Sequence, residues 1–121
     1  MPDGDRRSTG RRGESVAAAH LGSLGYRIVA TNVRTRNGEL DIVAWDGDVL
    51  VFVEVRARRG AGFGTPEESI TPRKRQRLVT LAEEYLQGLP DPAPPCRIDV
   101  VAVDLGPGDF VRRIELIRDA V

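Results

Sequence analysis

The segment GELDIVAWDGDVLVFVEVRAR, Gly38 to Arg58, constrains the fold more than any other stretch of the chain. Two apolar runs flank Asp46-Gly47, a strong tight-turn signal, and together they predict a β-hairpin. Asp41 and Glu54 interrupt those runs, and Arg56 follows Glu54 by two. Strand alternation puts Glu39, Asp41, Val43 and Trp45 on one face of the first strand. It puts Leu50, Phe52, Glu54 and Arg56 on one face of the second. A two-residue loop at Asp46-Gly47 sets Trp45 against Asp48, with Glu39 opposite Glu54. A four-residue loop sets Trp45 against Leu50, with Asp41 opposite Glu54. Both registers bring Asp41, Glu54 and Arg56 to one face, whereas a three-residue loop separates them unless a bulge restores parity.

Like charges facing each other across a sheet repel, and an unpartnered buried carboxylate costs several kcal/mol. Carboxylates converging among Leu, Ile, Val and Phe therefore require a cation. A divalent metal answers that requirement, and so does a structural ion pair with Arg56 or Arg58. The charge distribution repeats the theme. Five acids and no base lie between Glu39 and Glu54, whereas seven bases lie from Arg56 to Arg77 against Glu67 and Glu68. An acidic spot beside a basic segment suits a metal-dependent enzyme acting on a phosphodiester, and separate solvated faces explain it equally.

At 121 residues the chain predicts one domain. Residues 1–10 are polar and small and read as a disordered tail, leaving a single domain over 11–121. From Arg12 to Leu24 the apolar spacing is helical, through Ala17, Ala18, Leu21 and Leu24, with Gly25 in the position of a C-terminal cap. Glu14 lies on the same stripe. It either faces the packed surface or is a first-turn acid stabilised by the helix dipole, worth about 0.3–1 kcal/mol. Tyr26 to Val33 reads as a strand leading to the Asn37-Gly38 turn. Arg58 to Pro66 is a glycine-rich loop without P-loop spacing. Thr71-Pro72 starts a second helix running to Gln87. Leu78, Leu81, Ala82 and Tyr85 form its inner stripe, headed by Lys74. Arg73, Arg75 and Arg77 point away from that stripe and crowd a helix N-terminus, which suits a phosphate neighbour or a solubilising surface. Strands over Arg97–Leu105 and Phe110–Ile117 close the pattern around the Gly106-Pro107-Gly108 turn, and Arg97 is placed to pair with Asp99.

No apolar run approaches the roughly 20 residues that cross a bilayer, and no apolar segment follows the basic N-terminus, so no membrane partner and no signal peptide are expected. Cys96 is the single cysteine, which excludes an internal disulfide and fits a reducing, cytoplasmic setting. Zero net charge gives no bulk attraction to nucleic acid, so any such interaction rests on local patches.

The segments RRGESVAAAHLGSLGYRIVATNVR, NGELDIVAWDGDVLVFVEVRAR, FGTPEESITPRKRQRLVTLAEEYL and RIDVVAV resemble the YraN family of small bacterial proteins, within the PD-(D/E)XK nuclease superfamily. The resemblance covers nearly the whole chain after Gly10. It implies a restriction-endonuclease-like α/β fold with a mixed central β-sheet flanked by α-helices. It implies that Asp41 and Glu54 hold Mg²⁺ or Mn²⁺, that Glu14 assists them, and that the substrate is DNA. Arg56 stands where the superfamily pattern has lysine. A guanidinium stays protonated and cannot act as a general base, but it can grip phosphate. Lys74 is a candidate to supply an amine to the same pocket. Arg58, Arg59, Arg73, Arg75 and Arg77 are the candidate backbone contacts.

Overall fold

A computed structural model describes residues 2–60 and 70–121. The first helix, α1, runs Pro2–Ser23, and three strands follow: β1 (Arg27–Thr35), β2 (Gly38–Asp46) and β3 (Val49–Arg59). The second helix, α2 (Pro72–Gln87), leads to β4 (Cys96–Leu105) and, after a short 3-10 turn at Pro107–Asp109, to β5 (Val111–Ile117). Beyond Gly60, the glycine-rich loop read over Arg58–Pro66 lies outside the described residues, as do Glu67 and Glu68.

The strands form one sheet in sequence order, β1-β2-β3-β4-β5. β3 and β4 are parallel, and the other three pairings are antiparallel. The parallel pair follows from the connection between them, because α2 carries the chain across the sheet. Thr71 caps α2 through its side chain, which accepts from the Lys74 backbone N–H at 3.2 Å. Pro72 occupies the first helical turn, where a missing N–H costs nothing.

The two helices bury opposite faces of the sheet. Ala17 and Leu21 of α1 pack with Ile42, Ala44, Val51, Val53, Val101 and Val103. Leu78, Leu81 and Ala82 of α2 pack with Leu40, Val43, Leu50, Phe52 and Ile98. β3 alternates cleanly between these two cores, so its side chains are sorted by strand period alone. This is the restriction-endonuclease-like α/β arrangement: a mixed five-stranded sheet between two helices. α1 begins well before the expected Arg12. Glu14 is therefore an interior helical residue, and the first-turn dipole explanation for it does not hold.

A buried polar network ties β4 to the rest of the sheet. Asp99 is fully buried and accepts from Tyr26 Oη at 2.9 Å, Arg97 Nε at 3.0 Å and the Asp119 backbone N–H at 2.9 Å. Arg97 also bonds Asp46 Oδ2 at 2.6 Å and Tyr26 Oη at 2.8 Å. The pairing read from Arg97-x-Asp99 is present, and it reaches the hairpin turn as well. Removing one partner strands a buried charge. Asp99→Ala is expected to lower unfolding free energy by about 3–5 kcal/mol in urea titrations. A loss under about 1 kcal/mol would show that the network does not hold the fold.

Candidate functional site

The site forms where β2 and β3 come apart. Their ladder runs from Asp46↔Val49 through Trp45↔Leu50 to Ile42↔Val53. That is the register with Trp45 against Leu50, closed by Gly47-Asp48 rather than Asp46-Gly47, with Gly47 at φ +60. Asp41 and Glu54 are the next facing residues. Beyond Ile42, β2 pairs only with β1, down to Thr35↔Gly38. Beyond Val53, β3 pairs only with β4, up to Arg59↔Leu105. In the opening, Asp41 Oδ2 accepts the Val55 backbone N–H at 2.9 Å. A side chain thus replaces the missing strand, and the Val55 donor stays satisfied.

The strands also turn over at this level. Ile42, paired with Thr31, packs under α1, whereas Leu40 and its partner Val33 pack under α2. Regular alternation would have put Leu40 and Ile42 on one face, so the expected parity fails at Asp41. β1 is irregular at the same level. Asn32, between Thr31 and Val33, has φ +52, in the left-handed region that Asn tolerates better than most side chains. Its irregularity and that of Asp41 coincide.

This twist lets groups from both faces converge. Glu14 of α1 is half-buried and close enough to Asp41 and Glu39 for their charges to act on it. Burial chiefly raises its pKa, Asp41 and Glu39 add to the effect, and a hydrogen bond with the Asn32 side chain opposes it. α1 approaches this closely because Gly13 has no side chain: a Cβ there would collide with Ala57 of β3. From the other face come Arg56, whose Nη1 lies 3.8 Å from Glu54 Oε2, and Lys74, whose charge also reaches Glu54.

Glu54 carries the largest electrostatic penalty in the site. Its carboxyl is pushed up to about 8, first by burial, then by the Asp41 charge and a hydrogen bond to Asp41. Arg56 and Lys74 lower it but do not cancel the effect. The Asp41 and Glu54 carboxylates are hard oxygen donors, the type that Mg²⁺ and Mn²⁺ take. Among the described residues, no three His, Cys, Asp or Glu side chains form a ready metal cluster. Asp41 and Glu54 are thus the pair that could hold a divalent ion, with water in the remaining positions, as Mg²⁺ prefers.

The predicted backbone-gripping arginines divide into two groups. Arg73, Arg75 and Arg77 are exposed along the start of α2, and a Cβ on Gly38 would stand 2.9 Å from Arg77 Nη2. Arg58 pairs with Asp104 at 2.5 Å, and Arg59 with Asp109 and with Thr9 Oγ1 at 2.7 Å. These last two sit at the far end of β3. Sequence reading did not single out Asn32 or Gly13. The available signals were an Asn inside the β-branched run VATNV and a glycine immediately before Glu14.

The fold and the gathered carboxylates define the class: a restriction-endonuclease-like α/β domain with an acidic centre at the opening of its sheet. The chain belongs to the uncharacterised protein family UPF0102, whose family model matches residues 13–103 and so spans Glu14, Asp41, Glu54, Arg56 and Lys74. It is 53% identical to a UPF0102 protein of Symbiobacterium thermophilum over 114 residues, covering 94% of this chain and 96% of that one. It is 48% identical to one from Dehalococcoides mccartyi over 117 residues (97% and 95% covered). A third, from Moorella thermoacetica, is 48% identical over 115 residues (95% and 96% covered). Among the described residues, no helix is long and apolar enough to cross a membrane.

The raised Glu54 pKa fixes the sign of a pH effect. The folded state binds this proton more tightly than the unfolded state, so stability without metal falls as pH rises from about 4.5 through about 8. In EDTA near pH 8, Glu54→Gln is expected to be more stable than wild type by about 1–3 kcal/mol. The difference should vanish near pH 5. Parallel stability profiles for the two proteins across that range would refute it.

Proposed function

We propose that this protein is a Mg²⁺- or Mn²⁺-dependent nuclease-like protein acting on DNA phosphodiester bonds, including branched or otherwise structured DNA. The observation that carries this reading is the convergence of Asp41 and Glu54 at the opened strand pair, with Glu14 arriving from one face and Arg56 and Lys74 from the other. Mutual repulsion of the acids is costly for the fold, and a divalent cation removes the cost. When bound, the ion supplies an acidified water and stabilises charge developing on phosphate.

The chain's own residues have separable tasks. Asp41 and Glu54 hold the ion. Asp41 is fixed for that task by the Val55 N–H. Glu14 borders Asp41 and orients the acidic centre together with Asn32. Arg56 remains charged throughout, so it binds and neutralises phosphate and takes no proton. Lys74 brings an amine to the same pocket. Arg73, Arg75 and Arg77 extend a basic surface along α2 for the flanking backbone.

A second reading belongs to another class: a nucleic-acid-binding or adaptor protein without catalysis. The Arg56–Glu54 ion pair favours it, because a guanidinium at that position neutralises the acid without offering a base.

A panel of duplex, single-stranded and branched DNAs with Mg²⁺ or Mn²⁺ separates the two. Cleavage is expected, and Asp41→Ala and Glu54→Ala should each reduce it more than about a hundredfold. Cleavage surviving both substitutions would remove this site from the reaction. Salt-sensitive binding without cleavage would favour the second reading.

A further inference from the structure

Phe110 is conspicuous in the turn between β4 and β5. It is 52% exposed, at the end of the sheet where β3 also finishes. The residue is not loosely held. The Gly106 backbone N–H donates to the Phe110 carbonyl at 2.8 Å. The ring lies against Gly106 so closely that a Cβ there would collide with it. Arg112 Cζ stands 6.0 Å from the ring centroid, in cation–π position. Exposure of a seated aromatic ring, rather than of a mobile one, is what a stacking platform requires.

A pocket of about 310 Å³ adjoins the ring, lined by Arg59, Gly60, Leu105, Gly106, Pro107 and Arg112. Arg59 and Arg112 are the charged residues of its lining, and the Arg59 guanidinium is held by Thr9 Oγ1 and Asp109. Asp109 is the neighbouring carboxylate: its side chain pairs with Arg59, and its backbone carbonyl accepts from Arg12 Nε at 3.4 Å. The surroundings therefore combine two arginines, the exposed Gly60 and one aromatic face. This combination recognises a nucleobase with its phosphate. It does not resemble an acidic or purely apolar ligand site. Arg59 and Gly60 fall inside the segment matched by the family model, residues 13–103, and Leu105, Gly106, Pro107, Phe110 and Arg112 fall beyond it.

Resting on the nucleic-acid reading above, we infer that Phe110, with Arg112 and Arg59, forms a subsite that stacks an unpaired DNA base flanking the reaction centre. The Arg59 side chain lies on the α1 face, from which Glu14 reaches the acidic centre. Arg59 is five residues along β3 from Glu54, a separation of about 17 Å at strand rise. That is roughly five nucleotides at the duplex rise per strand, and fewer for an extended strand. A base inside a continuous duplex cannot reach the ring, because its faces are already stacked. The subsite thus selects DNA with a single-stranded stretch near the acidic centre.

The test measures binding, not cleavage. Fluorescein-labelled oligo(dT) and a blunt duplex of equal length are titrated with the full chain in EDTA by anisotropy. Phe110→Ala should weaken oligo(dT) binding about tenfold and change duplex binding less than about twofold. Phe110→Trp should retain wild-type affinity, and its added indole emission, measured against the Trp45 background of wild type, should quench on oligo(dT) binding. Phe110→Ala binding oligo(dT) within about twofold of wild type would overturn the subsite, as would an unquenched Phe110→Trp. Either result alongside cleavage that depends on Asp41 and Glu54 would leave the proposed function standing. Absence of binding to both DNAs by wild type would overturn both.

Discussion

The Asp41 carboxylate on the Val55 N–H is the contact around which this molecule is arranged. It ends the β2–β3 ladder and keeps a part-buried donor satisfied without a facing strand. With that donor met by a side chain, the two strands are able to diverge, β2 toward β1 and β3 toward β4. The gap between them exposes strand-borne carboxylates that a closed sheet would have hidden. It also gives α1 and α2, which pack on opposite faces, access to the same few ångströms of space.

The gap has an energetic cost concentrated on Glu54. Burial and the Asp41 charge raise its proton affinity, and Arg56 and Lys74 relieve only part of that. Elsewhere the chain meets buried charge differently. Asp99 is wholly buried, yet it is satisfied by Tyr26, Arg97 and a backbone N–H, and Arg97 is shared with Asp46. One carboxylate has its hydrogen-bond partners and a cation close by, and the other keeps a raised proton affinity. The contrast separates Asp99, whose partners serve the fold, from Glu54, whose charge the fold relieves only in part.

Much of this was legible in the residues. The helix from Thr71 follows from a capping side chain and a proline. The parallel β3–β4 pair follows from the helix that must join them. Turn chemistry at Asp46-Gly47-Asp48 left more than one register open, and the sequence offered no way to choose. The structure has Trp45↔Leu50; the alternative, displaced by two residues, keeps the same residues on each face, so the inward pattern under α1 and α2 fits both. Alternation misjudged one place, the level of Asp41, because counting by twos assumes an unbroken strand. The left-handed Asn32 stands at the same level of the neighbouring strand, remote along the chain.

The amino-acid sequence alone determined the period of each element, the ends of α2, and the presence of acids inside an apolar hairpin, since these depend on local preferences and spacing. Only the tertiary structure decided that Glu14 and Lys74 meet those acids from opposite sides, that Gly13 permits the approach, and that Phe110 sits seated but exposed at the sheet's end. Each of those outcomes depends on where separate elements dock. Docking is set by the summed burial of two cores and the local opening of one ladder, quantities that no single segment carries.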